Sequence, residues 1–146
     1  MEQTRKHLKF SSLAILALAG LSLINIVSEL LVGELNYAEM PAGSPDSIQL
    51  IAKIILMVVS LVCILPQVYI GIKGLKVAKN PDSSKAHIVW GMILLAFAIM
   101  GLVSPLAAII KQDDVKGNAS ALLSILIEVA FFYDYVKYAR AVAKAN

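Results

Sequence analysis

One cysteine and two histidines are all the thiol and imidazole chemistry in this 146-residue chain. A single thiol, Cys63, excludes an intramolecular disulfide and a cysteine-based metal site, and in an apolar segment it reads as a small polarizable packing residue. Charge is scarce as well: 16% of residues are Asp, Glu, Lys or Arg, against about 25% in soluble domains. No catalytic, nucleotide-binding or metal-ligating motif occurs, nor any internal repeat or low-complexity tail. His7 and His87 both fall at the edges of apolar segments. No nucleophile and base are therefore brought together, and neither an enzyme, a cofactor nor a metal is expected.

What the chain has in excess is apolar length. Hydrophobic residues make up 59% of it and its mean hydropathy is +0.78. They concentrate in four stretches at about 10–32, 48–72, 87–110 and 119–139. As a helix rising ~1.5 Å per residue, each is long enough to cross a hydrocarbon core of ~30 Å. The expected fold is all-α: an integral membrane four-helix bundle, a single transmembrane domain over residues 1–146, with connections too short for a soluble domain.

The net charge of +3 could point to nucleic acid, but its distribution follows a membrane, and no nucleic-acid partner is expected. Ten of the 13 Lys and Arg lie in three places: Arg5, Lys6 and Lys9; Lys73, Lys76, Lys79 and Lys85; Lys137, Arg140 and Lys144. The positive-inside rule makes these regions cytoplasmic. The first connection holds Glu34, Glu39 and Asp46 without a basic residue, and the third sets Asp113 and Asp114 against Lys111 and Lys116, so both face outward. An even number of crossings also requires both termini on one side, here the cytoplasmic one. A basic start followed by Ala17-Leu18-Ala19 has the outline of a signal peptide, but the apolar run continues through Leu21–Val32, and a retained first helix is expected.

The connections carry their own signals. Pro41, Gly43, Ser44 and Pro45 make Gly33–Ser47 an irregular hairpin. Lys73, Lys76 and Lys79 recur every three residues, so the second helix extends past the membrane with one basic side. Its expected partners are the lipid bilayer and, at the cytoplasmic face, anionic headgroups, at ~1 kcal/mol per basic residue. Asn80-Pro81 breaks that helix, and Asp82, Ser83 or Ser84 is placed to cap the next. Tyr69, His87, Trp90, Tyr133, Tyr135 and Tyr138 read as an interfacial aromatic belt.

Ionisable groups inside the apolar stretches are the strongest functional clue, because at membrane depth they are costly unless they pair, face a cavity or carry ions. Glu29 and Lys53 fall at similar depth near the outer ends of the first and second helices and are expected to form an intramembrane ion pair. Glu128 lies nine residues beyond Ala119, ~13 Å down and close to the midplane. With Ser120 and Ser124 it forms a polar stripe at spacings of four. The second helix offers Gln49, Lys53, Ser60 and Gln67, and the first offers Ser22, Asn25 and Glu29. By depth, Ser124, Ser60 and Asn25 are the groups expected beside Glu128 in a site that takes up a proton or binds a cation. The third helix supplies small residues, Gly91, Ala98, Gly101, Pro105 and Ala108, for close packing. Pro66 with Gln67, and Pro105, are hinge candidates, because each proline removes an intrahelical hydrogen bond.

Pro66-Gln67, a basic connection, a third helix and a fourth ending in Tyr133-Asp134-Tyr135-Val136-Lys137 resemble the three-helix repeat of PQ-loop transporters, among them the half-sized sugar carriers. The resemblance covers at most Ile48–Lys137. It implies that Pro66 flexes during alternating access and that Gln67 belongs to the mobile segment. This chain departs from that pattern by an extra first helix, by the lack of a second repeat, and by Ser124 where such carriers place an asparagine.

The sequence therefore leads to a small multi-pass protein of the cell membrane. Its expected function is an oligomeric transporter or channel-like subunit for a proton, an ion or a small polar solute. The alternative is a non-transporting interaction protein whose polar stripes mediate self-association or docking into a larger membrane complex. The two separate at Glu128: a wet cavity favours transport, and a dry contact filled by small residues favours assembly.

Overall fold

The computed structural model describes residues 2–32, 46–81, 85–111 and 115–145, and their side chains except those of residues 29–32, 46, 47, 49 and 56. Of the expected hairpin Gly33–Ser47, residues 33–45 lie outside the described residues and Asp46 and Ser47 are already helical in the second helix; the capping candidates Asp82, Ser83 and Ser84 and the side chain of Glu29 also lie outside the described residues. The elements are α1 (Glu2–Val32), α2 (Asp46–Lys79), α3 (Ala86–Gly101), α4 (Val103–Ile110) and α5 (Val115–Lys144). No strand occurs among the described residues, and four helical columns are long and apolar enough to cross a membrane.

All four apolar stretches are helical, and three of the columns overrun them at the end that carries both termini. α1 begins at Glu2 rather than at 10, α2 runs to Lys79 rather than 72, and α5 runs to Lys144 rather than 139. An apolar run stops where charge begins, but a helix need not. Exposed Lys6 pairs with Glu2 at 2.8 Å one turn away, and Lys76, Lys79 and Lys144 occupy last turns, where cations complement the helix dipole. The residue at the N-cap of α3 is Lys85, which makes no side-chain cap bond.

The third stretch is two helices rather than one. Pro105 has no N–H, so the carbonyl of Gly101 lacks its helical donor. The chain tightens at Leu102 (φ −67°, ψ −23°), whose N–H donates to Ile99 O at 3.2 Å in a 3₁₀-type turn, and α4 starts at the next residue. α2, by contrast, runs through Pro66 without a break.

The columns pack in a ring in the order α1, α2, α3–α4, α5, with α5 closing onto α1. Among the described residues α1 and α3 do not touch, so they lie diagonally across the bundle, and the seam between α2 and α3 is the loosest. The main core lies toward the end that carries the termini. It is built from Leu8 and Ile15 of α1, Ile70 and Val77 of α2, Ile88 of α3, and Phe132, Tyr135, Val136, Ala139 and Val142 of α5. The sevenfold steps in α1 and α2 and the three-and-four steps in α5 keep one stripe of each helix inward. A smaller cluster, Ala19, Ile26 and Ile64, joins α1 to α2 in the other half. There α4 buries only Pro105. The bundle is tight at one end and open at the other.

Close approach at the tight end depends on glycine. A Cβ on Gly74 would stand 2.2 Å from Ser12 Oγ and 2.5 Å from Tyr135 Cε2, and one on Gly71 would stand 2.5 Å from Leu16 Cγ. The buried hydroxyls of Ser12 and Ser11 donate to Leu8 O at 2.7 Å and His7 O at 2.8 Å, so each is satisfied within its own helix while facing the core. The same packing corrects the aromatic belt. His87 and Tyr135 are both 0% exposed, edge-on to one another with ring centroids 6.2 Å apart, and belong to the core. Helical rotation explains the difference: Tyr135 shares its face with Phe132 and Ala139, whereas Tyr133, two positions away, points outward with Tyr69 and Trp90 on their own helices.

Candidate functional site

α5 brings Glu128 to mid-height, thirteen residues after its first residue and sixteen before its last, or ~20 and ~24 Å along the axis. One turn further on, Phe132 seals the top of the main core at 2% exposure. Ile125, Glu128 and Phe132 follow the i, i+3, i+7 pattern of a single helix face, and that face forms the floor of a groove of about 480 Å³ along the α2–α3 seam. One wall is Val62, Cys63, Pro66 and Gln67 of α2; the other includes Trp90, Phe97 and Gly101 of α3. A second hollow at the same seam, about 360 Å³, is lined by Pro66, Tyr69 and Trp90.

The groove is apolar apart from Glu128, Gln67 and Cys63. Glu128 is half-buried, and no hydrogen bond or ion pair reaches it among the described residues. Pro66 withholds a donor from the carbonyl of Val62, and both residues line the same wall. The side chains of the site thus offer one carboxylate and one amide in aromatic and aliphatic surroundings. That arrangement suits a proton or a positively charged guest far better than an anion.

The other sequence candidates take different places. Ser124 is exposed and donates to Ser120 O at 3.1 Å within its own helix. Asn25 is exposed on α1, a helix that the groove does not touch, and half-buried Ser60 lies two turns before Gln67. None of the three lines the groove that holds Glu128. The rotation of a helix accounts for Ser120 and Ser124: steps of four residues at ~100° each drift by ~40°, which carries Ser120 ~80° around from Glu128. Lys53 is half-buried on α2, and its expected pairing with Glu29 falls outside the described residues. Pro66 and Gln67 do sit together in the groove wall, whereas Pro105 is buried away from it, at the break between α3 and α4. Phe97 and Phe132 are groove residues that sequence reasoning did not single out, and Trp90, expected only as an interfacial anchor, is a third. The spacing of 90, 94, 97 and 101 on α3 was the available signal.

At the end with the termini, a second hollow of about 470 Å³ sets Lys85, Arg140 and Lys144 around an apolar floor of Ile88, Val89 and Met92. The Arg140 guanidinium donates to the Met92 sulfur. Lys73, Lys76 and Lys79 line a further basic hollow on α2. No group of three metal-ligating side chains occurs among the described residues.

No protein-family model, no curated protein and no solved structure matches this chain.

Proposed function

We propose that this chain is a multi-pass protein of the cell membrane with both termini cytoplasmic, and a subunit of a small oligomeric transporter in which Glu128 exchanges a proton for a cation. One observation carries the proposal: a carboxylate without a partner among the described residues, at mid-height in an apolar groove. An ionisable group at such depth is expensive, and a site that alternately neutralises it with a proton and with a cation makes use of that expense. The mostly apolar walls narrow the expectation, favouring a proton or cation over a small polar solute. The hollows lined by Lys85, Arg140 and Lys144 and by Lys73, Lys76 and Lys79 fit anionic headgroups of the inner leaflet.

A specific observation also favours the second reading, a non-transporting assembly protein. Asn25 and Ser120 are exposed on outer faces of the bundle, where a hydrocarbon surround leaves polar side chains seeking partners on another chain. A second copy docking there serves the transporter as well, since the groove is open along its seam. Reconstitution in pH-loaded vesicles separates the readings. Cation-driven proton efflux that is lost in Glu128→Gln, with unchanged assembly mass, is the expected result. Efflux equal in wild type and variant, or absent from both, would leave assembly as the function.

A further inference from the structure

We infer that the α2–α3 groove is a binding site for an organic cation with an apolar, ring-sized body, which enters sideways from the bilayer. The inference rests on the reading of Glu128 as the transporter's coupling group and names the substrate class that the groove would take. Its volume, about 480 Å³, lies within the range of small-molecule pockets, roughly 300–1,000 Å³. A bare proton needs Glu128 and nothing else, and would leave that space without a use. A divalent metal ion stripped of its waters needs six or more oxygen ligands, and the side chains here supply a carboxylate and one amide. An anionic or neutral amphiphile would leave the carboxylate repelled or still without a partner.

An organic cation meets each of these demands. Its charge is diffuse and weakly hydrated, so it enters an apolar site at modest cost, and Glu128 supplies the opposite charge on the floor. Trp90, Phe97 and Phe132 line the same groove, and aromatic faces attract such cations by ~0.5–2 kcal/mol each. The positions of the three rings define a path. Phe132 is buried at 2% exposure on the inner side, while Trp90 and Phe97 stand 44% and 63% exposed at the rim. The rim faces outward between α2 and the α3–α4 column, each long enough to cross a membrane, so the entrance opens toward lipid tails, where a lipophilic guest concentrates.

The test uses the full chain in detergent micelles and isothermal titration with tetraphenylphosphonium. Tetraphenylborate, of the same shape and opposite charge, serves as the control for partition into micelles. Saturable binding of the cation alone is expected, weakened at least 10-fold in Glu128→Gln and about 2- to 5-fold in Phe97→Ala, a rim position whose truncation spares the core. Cys63 lines the groove and is an exposed free thiol, so bound cation should slow its alkylation by a maleimide in wild type. Equal uptake of both ions, or cation binding that neither protects Cys63 nor responds to Phe97→Ala, would overturn the assignment even if Glu128→Gln failed to fold. Binding and protection without proton flux would retain the site while refuting the transport reading. Glu128-dependent flux without cation binding would do the reverse.

Discussion

Gly74→Ala is the sharpest perturbation of the fold. Its new methyl would stand 2.2 Å from Ser12 Oγ on α1 and 2.5 Å from Tyr135 Cε2 on α5, so it is pressed from two helices at once. Neither neighbour yields easily: Ser12 holds its hydroxyl on Leu8 O, and Tyr135 is 0% exposed. Alanine gains ~1 kcal/mol of helix propensity over glycine. Against this stand an overpacking cost of ~1–3 kcal/mol and the displacement of the Ser12 bond, ~1 kcal/mol. The net is a destabilisation of about 1–3 kcal/mol. Gly20→Ala is the matched control, because nothing lies within 4 Å of its Cβ position, and it should stabilise by up to ~1 kcal/mol. Reversible unfolding in mixed micelles, followed by far-UV circular dichroism, measures both. Gly74→Ala as stable as the wild type would show that α1, α2 and α5 do not meet as described.

Tyr135→Phe should leave stability unchanged or raise it by up to ~1 kcal/mol, because the buried hydroxyl has no hydrogen-bond partner among the described residues and removing it abolishes a desolvation cost; a loss above ~1 kcal/mol in the same unfolding assay would contradict this. Pro105→Ala should restore a donor to Gly101 O and fuse α3 with α4, read as slower amide hydrogen exchange at residues 102–106; unchanged exchange there would mean that Pro105 is not the cause of the break. His7→Ala removes a ring stacked on Tyr138 at 4.8 Å between α1 and α5, and should cost ~0.5–1.5 kcal/mol with faster exchange in the last turns of α5; a null effect on both would exclude that contact as a clasp.

The number of columns, their approximate limits and the basic end were all legible in the order of residues, because apolar length and charge placement need no partner to be read. Glu128 was legible for the same reason. A carboxylate nine residues into a run of Leu, Ile and Ala is anomalous before any fold is known. The break at Leu102 was only half legible, since two prolines carry the same local signal and only Pro105 interrupts its column.

What surrounds Glu128 was a tertiary matter. Depth along a helix gives height but not azimuth, so Ser124, Ser60 and Asn25 matched Glu128 in level and still turned elsewhere. Only the ring order, with α1 and α3 on opposite corners and the α2–α3 seam loosest, put Gln67, Trp90 and Phe97 around the carboxylate. The same packing drew His87 and Tyr135 out of the interfacial belt and into the core. Composition and charge order fixed four columns apolar and long enough to cross a membrane and the end at which basic residues gather, because each residue's transfer between water and lipid is its own property. Which side chains share a groove was decided only when glycine contacts and inward stripes set the rotation of each helix, and rotation depends on neighbours.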